Sequence, residues 1–546
     1  MLKKILTVII CAAMCCSSFA ACGKKREGDG LNHMYDAPLL GNPESLDPQF
    51  ADDQSSNTVI RNLYSGLLSS DENGNISLCN AESYTVSDDG TVYTFSLRKD
   101  NYWFLDHNND DVIDDTECFP VTAHDYVFAL KRIPDPRMQS PYANSFSCIK
   151  NSKAIMNGTA SPDSLGVKAA DEYTLEVTLE YPSAEFLPLM ASSAAYPCNE
   201  EFFNSTKGRY GLDDKSIMSN GAFFVRQWFY DPYGNHNILY MKRNEKNVCD
   251  DYQVCPKYLS FTIEKTESDI RSCLKDDNIE CLSTFNNNFS SKKYNVDEKY
   301  AYTLGLIFNP DNMYFSNKNL RNSLALAIDR DALAEKADSS VMTAGGIIPP
   351  SVMIAGRSYR ELASDTAFSR YDPAEAKKMM DSAMKELNIG SLESTKILVC
   401  TEIISSDNLI ELSQNWQNTL GVYIGIEDAS YKDFIRRIET GEYSIALYPV
   451  KAQMGTPASV LEQFETNQHL KDASDGIAHS QSVRNSATAY QLTENASHAE
   501  KILISSNGFI PLFYKATYFV YRNDNEDILF DPFTGAADFR LAKNFG

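Results

Sequence analysis

One segment of this chain has the residue types and the spacing of a cation loop. From Asp106 to Glu117, side-chain oxygens fall at the first, third, fifth, ninth and twelfth of twelve positions, through Asp106, Asn108, Asp110, Asp114 and Glu117. An apolar residue, Ile113, stands at the eighth. Calcium is a hard cation that takes about six to eight oxygens, and this spacing wraps a loop around one, with the closing glutamate bidentate. Two features count against it. The sixth position, where the turn calls for glycine, is Asp111, and no clear pair of helices flanks the loop. The alternative is an acidic, solvated loop between strands. A bound calcium would be structural, and nothing else in the chain requires a cofactor.

Nucleophilic or metal-assisted catalysis finds little support. The histidines are His33, His107, His124, His236, His469, His479 and His498, scattered without a pairing partner. Neither a Gly-x-Ser-x-Gly elbow nor a His-Glu-x-x-His pair occurs. The chain is therefore read as a non-enzyme, with an exported hydrolase as the remote alternative. Beyond Cys11, Cys15, Cys16 and Cys22 there remain Cys79, Cys118, Cys148, Cys198, Cys249, Cys255, Cys273, Cys281 and Cys400, an odd number. Cys249 with Cys255, and Cys273 with Cys281, are close enough to bridge locally, but connectivity does not follow from sequence. No cysteine or histidine spacing suggests zinc.

The elements that must carry any site are mixed. Glu172–Glu180 alternates apolar and polar residues, the pattern of a strand with one buried face. Tyr93, Phe95 and Leu97 repeat it after the turn residues Asp88-Asp89-Gly90, and Val422, Ile424 and Ile426 do so again. A helix opens at Thr122 with an acid three residues on, Asp125, and stops at Pro134. A second places Leu320, Leu324, Ala327 and Ile328 on one face, and a third opens at Asp372-Pro373 and closes before Gly390. The class is α/β.

Lys3 and Lys4 precede an apolar run, Ile5 to Met14, that is too short to span a bilayer, and Phe19-Ala20-Ala21-Cys22 follows. The small residues before Cys22 resemble the bacterial lipobox, in which the cysteine is diacylated and becomes the new N-terminus. This reading gives a signal peptide over 1–21, a polar tether over 22–31, and a chain anchored to the outer face of a membrane. An ordinary cleaved signal peptide is the alternative. The chain is 546 residues long, so two or three domains are expected. A formal charge of −24 argues against nucleic acid, whose affinity comes largely from Lys and Arg.

A series of collinear segments resembles the oligopeptide-binding class of ABC-importer substrate-binding proteins. They are Ser45-Leu46-Asp47-Pro48; Asn62-Leu63-Tyr64-Ser65-Gly66-Leu67-Leu68; the hairpin from Asp89 to Arg98; and Pro120-Val121-Thr122-Ala123-His124-Asp125-Tyr126-Val127-Phe128 with Lys131-Arg132 and Asp135-Pro136. Ser140-Pro141-Tyr142-Ala143, Asn220-Gly221-Ala222-Phe223, Arg243-Asn244, the run from Arg321 to Arg330, and Ile510-Pro511-Leu512-Phe513-Tyr514 complete the series. The resemblance implies a two-lobed periplasmic-binding-protein-like fold of class II type with an additional third domain. Lobe I would comprise 32–80, 200–296 and 505–546, the extra domain II 81–199, and lobe III 297–504. Ligand is captured by hinge closure, and the implied partners are a membrane permease and its ATPases. The implied receptor is monomeric.

In well-known oligopeptide binders, an aspartate in a Trp-Cys-Ala-Asp-Tyr run pairs with the peptide's N-terminal ammonium. Here the corresponding run is Val450-Lys451-Ala452-Gln453, with Gln453 at the aspartate's place. A basic position further upstream is Leu447, and the acid before Ser-Leu-Asp-Pro is Asn42. Tyr142, Phe285 and Asn286 match retained ligand positions, and Glu44 and Ser45 lie beside the first motif. The resemblance thus nominates Asn42, Glu44, Ser45, Tyr142, Phe285, Asn286, Val450, Lys451 and Gln453. It implies a peptide that lacks a free ammonium or has it held elsewhere, by Glu44 for example. The alternatives are an oligosaccharide, a metal chelate, haem, or a peptide signal that is sensed rather than imported.

Overall fold

The computed structural model describes residues 29–546 apart from 107–109, 111–113, 235, 247–252, 364–367, 369–370, 393 and 473–478. Cys22 and the signal segment lie outside the described residues, as do Asn108 and Cys249. Three sheets organise the chain.

The first has four strands in the order Met34–Leu40, Tyr258–Glu264, Ile238–Arg243 and Phe223–Phe229. The first pair is parallel and the others antiparallel. Tyr35, Ala37 and Leu39 alternate into its core, as a period of two requires.

A second four-stranded antiparallel sheet holds Ala81–Val86, Val92–Leu97, Thr174–Thr178 and Val167–Asp171. The expected alternation is present: Phe95 and Leu97 point into the same core as Leu175 and Val177. Gly90 turns the hairpin at φ 71°, a conformation that costs glycine nothing. The helix Ala123–Arg132 opens as expected, with the Asp125 carboxylate accepting from the Thr122 N–H at 2.8 Å.

The third sheet is the spine. Its main path runs Cys281–Thr284, Phe509–Arg522, Tyr294–Phe308, Ile445–Lys451, Lys396–Cys400 and Gly425–Ala429, and Val341–Thr343 adds to Phe509–Arg522. Two of these strands are long, at 15 and 14 residues, and pair antiparallel along most of their length. Their side chains pack into several cores, Phe519 with the first sheet's core and Leu304, Leu306, Leu512 and Phe513 with the core at the other end. At the far end, Leu320, Leu324, Ala327 and Ile328 all bury against the sheet. The helix Pro373–Leu387 is capped by Asp372 and closes through Asn388 at φ 52°, two residues before Gly390.

One strand differs from expectation. Of Val422, Ile424 and Ile426, only Ile426 lies in a strand, because its partner begins at Lys396, which pairs with Gly425. Val422 and Ile424 are buried ahead of it as packing residues. All eight described cysteines are free thiols, so Cys273 and Cys281 are not bridged. Among the described residues, no helix is long and apolar enough to cross a membrane.

Candidate functional site

A cavity of about 380 Å³ lies where the lobes and the inserted domain meet. The first lobe contributes Asn57, Arg61 and the turn from Asp531 to Thr534. The inserted domain adds Tyr142, Pro188 and Ser192, and the second lobe adds Tyr300, Pro350, Met353 and the run from Gln453 to Thr456. Its wall is thus assembled from segments hundreds of positions apart.

The cavity is closed by interlocking loops. Met454, from the second lobe, packs within the first lobe's core, and Phe533, from the first, packs within the second's. Gly455 permits this. A Cβ there would stand 2.7 Å from Phe533 Cε2, closer than real Cβ atoms approach. Behind the loop, Thr456 caps the helix Pro457–Thr466.

The inserted domain grips the same helix. Glu185 Oε1 accepts from the Ala458 N–H at 3.0 Å, placing a carboxylate at a helix N-terminus. Ser145 reaches Glu462, which forms a buried ion pair with Arg484. The Ala184 N–H donates to the Ser486 carbonyl at 2.7 Å. Burial pushes the Glu185 and Glu462 carboxyls up from the ordinary carboxylate value.

The acids along the cavity wall are hydrogen-bonded within the protein, and two of them are ion-paired. Asp531 accepts from the Phe533 N–H and the Thr534 hydroxyl and faces Arg61 at 3.7 Å. Glu72 pairs with Lys299 at 3.5 Å, and Glu298 accepts from the Tyr300 hydroxyl at 2.7 Å. Asp71 accepts from the Asn73 and Asn75 backbones. Arg61 and Lys299 thus answer Asp531 and Glu72, whereas Asp71 and Glu298 make no ion pair among the described residues.

The nominated residues divide. Gln453 and Tyr142 line the cavity, although the Tyr142 hydroxyl is spent on the Ala51 carbonyl. Phe285 and Lys451 meet around Tyr302. The Phe285 and Tyr302 rings stand edge to face at 5.4 Å, and Lys451 Nζ lies 6.0 Å from the Tyr302 centroid. Asn286 is held through its backbone, accepting from Arg271 at 3.1 Å and donating to Thr284 Oγ1.

Phe285, Asn286 and Lys451 are not among the cavity's lining residues, and neither are the remaining four nominees. Asn42 Oδ1 accepts from Trp228 Nε1 at 2.9 Å, which ties it to the first sheet. Glu44 is exposed away from the cavity. Ser45 is buried in a turn, where its Oγ accepts from the Asp47 N–H. Val450 is core, opposite Thr303. Motif position identified a neighbourhood; side-chain direction was set by packing.

Sequence reading missed Arg61, Tyr300, Asp531, Phe533, Lys515 and Glu185. The Asp531-Pro532 turn was a usable signal for two of them. Lys515 betrays itself only as a lone charge inside the apolar run from Phe509 to Val520. Arg330, at the end of the Arg321 to Arg330 run, has no ion pair among the described residues; its guanidinium lies 3.6 Å over the Phe368 ring.

The acidic loop uses its described carboxylates within the protein. Asp106 pairs with Arg226. Asp114 accepts from the Thr116 N–H at 2.6 Å, and the buried Glu117 reaches back to the Asp114 N–H at 3.3 Å. Asp114 and Glu117 form a capping box on a short turn, and Asp110 is exposed. Among the described residues, no group of three or more His, Cys, Asp or Glu could hold a metal.

Comparison with known proteins gives a consistent result. The model of the bacterial extracellular solute-binding proteins, family 5 (middle part), matches residues 76–472. A dipeptide-binding protein of Lactococcus lactis subsp. cremoris is 26% identical over 478 residues, covering 83% of this chain and 82% of its own. The periplasmic oligopeptide-binding protein OppA of Salmonella typhimurium is 26% identical over 492 residues, covering 86% and 85%. Among solved structures, the pheromone receptor PrgZ superposes with a TM-score of 0.71 at 24% identity, covering 94% of this chain and 100% of that one. Listeria monocytogenes OppA bound to peptide gives 0.68 at 23%, covering 94% and 99%. These structural likenesses establish the two-lobed fold.

Proposed function

The chain belongs to the family-5 bacterial extracellular solute-binding proteins, and from that premise we propose that it captures peptides between its lobes and delivers them to an ABC-type permease with its ATPases. The observation that carries this reading is the cavity walled by both lobes and the inserted domain, and sealed by Met454 and Phe533. A ligand that touches every wall binds the closed arrangement better than the open one, and that difference drives closure. The names of the relatives supply the ligand class.

Gln453 refines the reading. A neutral amide accepts a hydrogen bond from an ammonium but leaves its charge uncompensated in a closed site, which is costly. Position 453 lacks the carboxylate that would neutralise an ammonium there, so the part of the ligand beside Gln453 is read as neutral. N-acetylated peptides then bind at least as tightly as their free-amine counterparts. Native mass spectrometry of the purified protein, followed by calorimetry with paired free and acetylated peptides, tests this. A retained oligosaccharide, metal chelate or haem would overturn the peptide reading. Submicromolar binding confined to free amines would overturn the role given to Gln453.

We further read Cys22 as the site of lipid attachment, with the signal peptide ending at residue 21. The wild type should partition into detergent and Cys22→Ser should not; equal partitioning would refute the anchor. We read the division as 32–80 with 200–296 and 505–546, 81–199, and 297–504; each four-stranded sheet falls within one of these units, while the seven-stranded sheet takes strands from the first and the third. Limited proteolysis that cut within a sheet rather than between these units would count against it.

A further inference from the structure

The register of the seven-stranded sheet brings together two lysines that make no ion pair among the described residues. Tyr302 pairs with Lys451 on one neighbouring strand and with Lys515 on the other. Residues paired across strands project from the same face, so the row Lys451–Tyr302–Lys515 presents two ammonium stems on either side of one phenol. The Cα atoms of the outer pair are two strand spacings apart, roughly 10 Å. Lys299, which lines the cavity, shares this face: its partner Thr517 is two residues from Lys515 on the same strand. At the other end of the row, Gln453 follows Lys451 by two residues and also lines the cavity.

Neither lysine makes an ion pair among the described residues. Lys515 is 1% exposed and donates to the carbonyls of Phe285, at 2.8 Å, and Ser340, at 3.3 Å. An ammonium has three donors, so one remains. The acids near enough to influence it have other partners. Asp338 accepts from the Ser340 N–H and Asn408, and Glu298 from Tyr300. Burial without a close carboxylate pushes the Lys515 ammonium down to about 8. Lys451 is exposed beside Tyr302, and its charge has only the ring face for company.

A solvated surface lysine needs no explanation, but a nearly inaccessible one carrying a compatriot charge across a single residue does. Two ammonium groups on one sheet face give that face a positive field, which favours an anion placed beside them. The Phe285 ring stands edge to face with Tyr302 in the same row.

We propose that the Lys451–Tyr302–Lys515 row is a carboxylate subsite: Lys451 contacts an acidic group of the bound peptide while Lys515 supplies a fixed charge beneath it. This rests on the peptide reading above and adds a preference for a carboxylate. Its source is either the peptide C-terminus or an Asp or Glu side chain.

Three N-acetylated tetra-alanine probes separate the cases by calorimetry: a free carboxylate, a C-terminal amide, and an amide with one internal glutamate. One charge-assisted hydrogen bond corresponds to about tenfold or more in affinity. At least one charged probe should exceed the neutral amide by that factor, and which one does so identifies the source. Lys451→Gln should abolish the difference, and because that side chain is exposed the variant folds. Lys515→Met should do the same, with melting temperature as its folding control. Equal binding of all three probes, or an undiminished preference in Lys451→Gln, overturns the subsite and leaves the peptide reading standing. Binding of none of the three overturns both.

Discussion

Gly455→Ala tests whether the interlocked loops belong to the ligand-capturing state. The added methyl would sit 2.7 Å from Phe533 Cε2 and 3.0 Å from Cδ2. Phe533 cannot swing away cheaply: it is 6% exposed, and its N–H is held by Asp531 at 2.9 Å. Overpacking of this kind costs about 1–3 kcal/mol. The clash exists only when the lobes meet, so it falls on closure and leaves each lobe's own core intact. Lost closure energy is lost affinity, which gives roughly a fivefold to 150-fold rise in Kd. Calorimetry with the tightest peptide measures it, and a melting curve of the ligand-free protein is the control. Phe533→Ala opens the space, so the double variant should recover much of the loss relative to Phe533→Ala alone. Unchanged affinity in Gly455→Ala would refute the interlock as part of capture. A large fall in melting temperature without ligand would show that the contact supports the fold instead.

Other outcomes follow from the same structure. Glu185→Ala removes the acceptor for the Ala458 N–H and should weaken ligand binding by about 1 kcal/mol, as caps typically do, whereas Glu185→Gln keeps an acceptor and should not; calorimetry on both variants checks this. Glu280 is pushed up to about 7 by burial, so the folded state holds its proton more tightly than the unfolded chain. That contribution is fully present below the ordinary value of 4.5 and is lost as pH rises through about 7; Glu280→Gln should flatten this part of the profile of melting temperature against pH. Glu500 accepts from the Ile348 N–H at 2.8 Å and pairs with Arg360 at 2.6 Å. Glu500→Ala leaves a buried guanidinium unpaired and should cost about 3–5 kcal/mol in denaturant unfolding.

Much of the architecture was legible because its signals are local. The alternation at Tyr93, Phe95 and Leu97, the Thr122–Asp125 box, and the Leu320–Ile328 stripe each need only residues within about two turns or one strand. Val422 and Ile424 failed because a strand's start depends on where its partner begins, and that partner lies more than twenty residues away.

The candidate site was legible as a set of neighbourhoods. Of the residues named by resemblance, Gln453 and Tyr142 line the cavity. Asn42 and Ser45 do not, because a polar side chain turns to its nearest satisfiable partner: Trp228 for one, the Asp47 N–H for the other. The acidic loop had the right oxygens in the right order, but Asp106 found Arg226, from a strand 120 residues later.

Composition, the motif series and short-range periodicity alone thus determined an α/β chain of the solute-binding type. They could do so because helix stripes, strand alternation and caps are written in adjacent residues. Only the tertiary structure decided which charges meet. The cavity wall draws on Arg61, Tyr142, Tyr300, Gln453 and Asp531, and no sequence spacing relates them. Lys451 and Lys515 flank Tyr302 solely through the register of three strands, where a one-residue slip would send them to the opposite face.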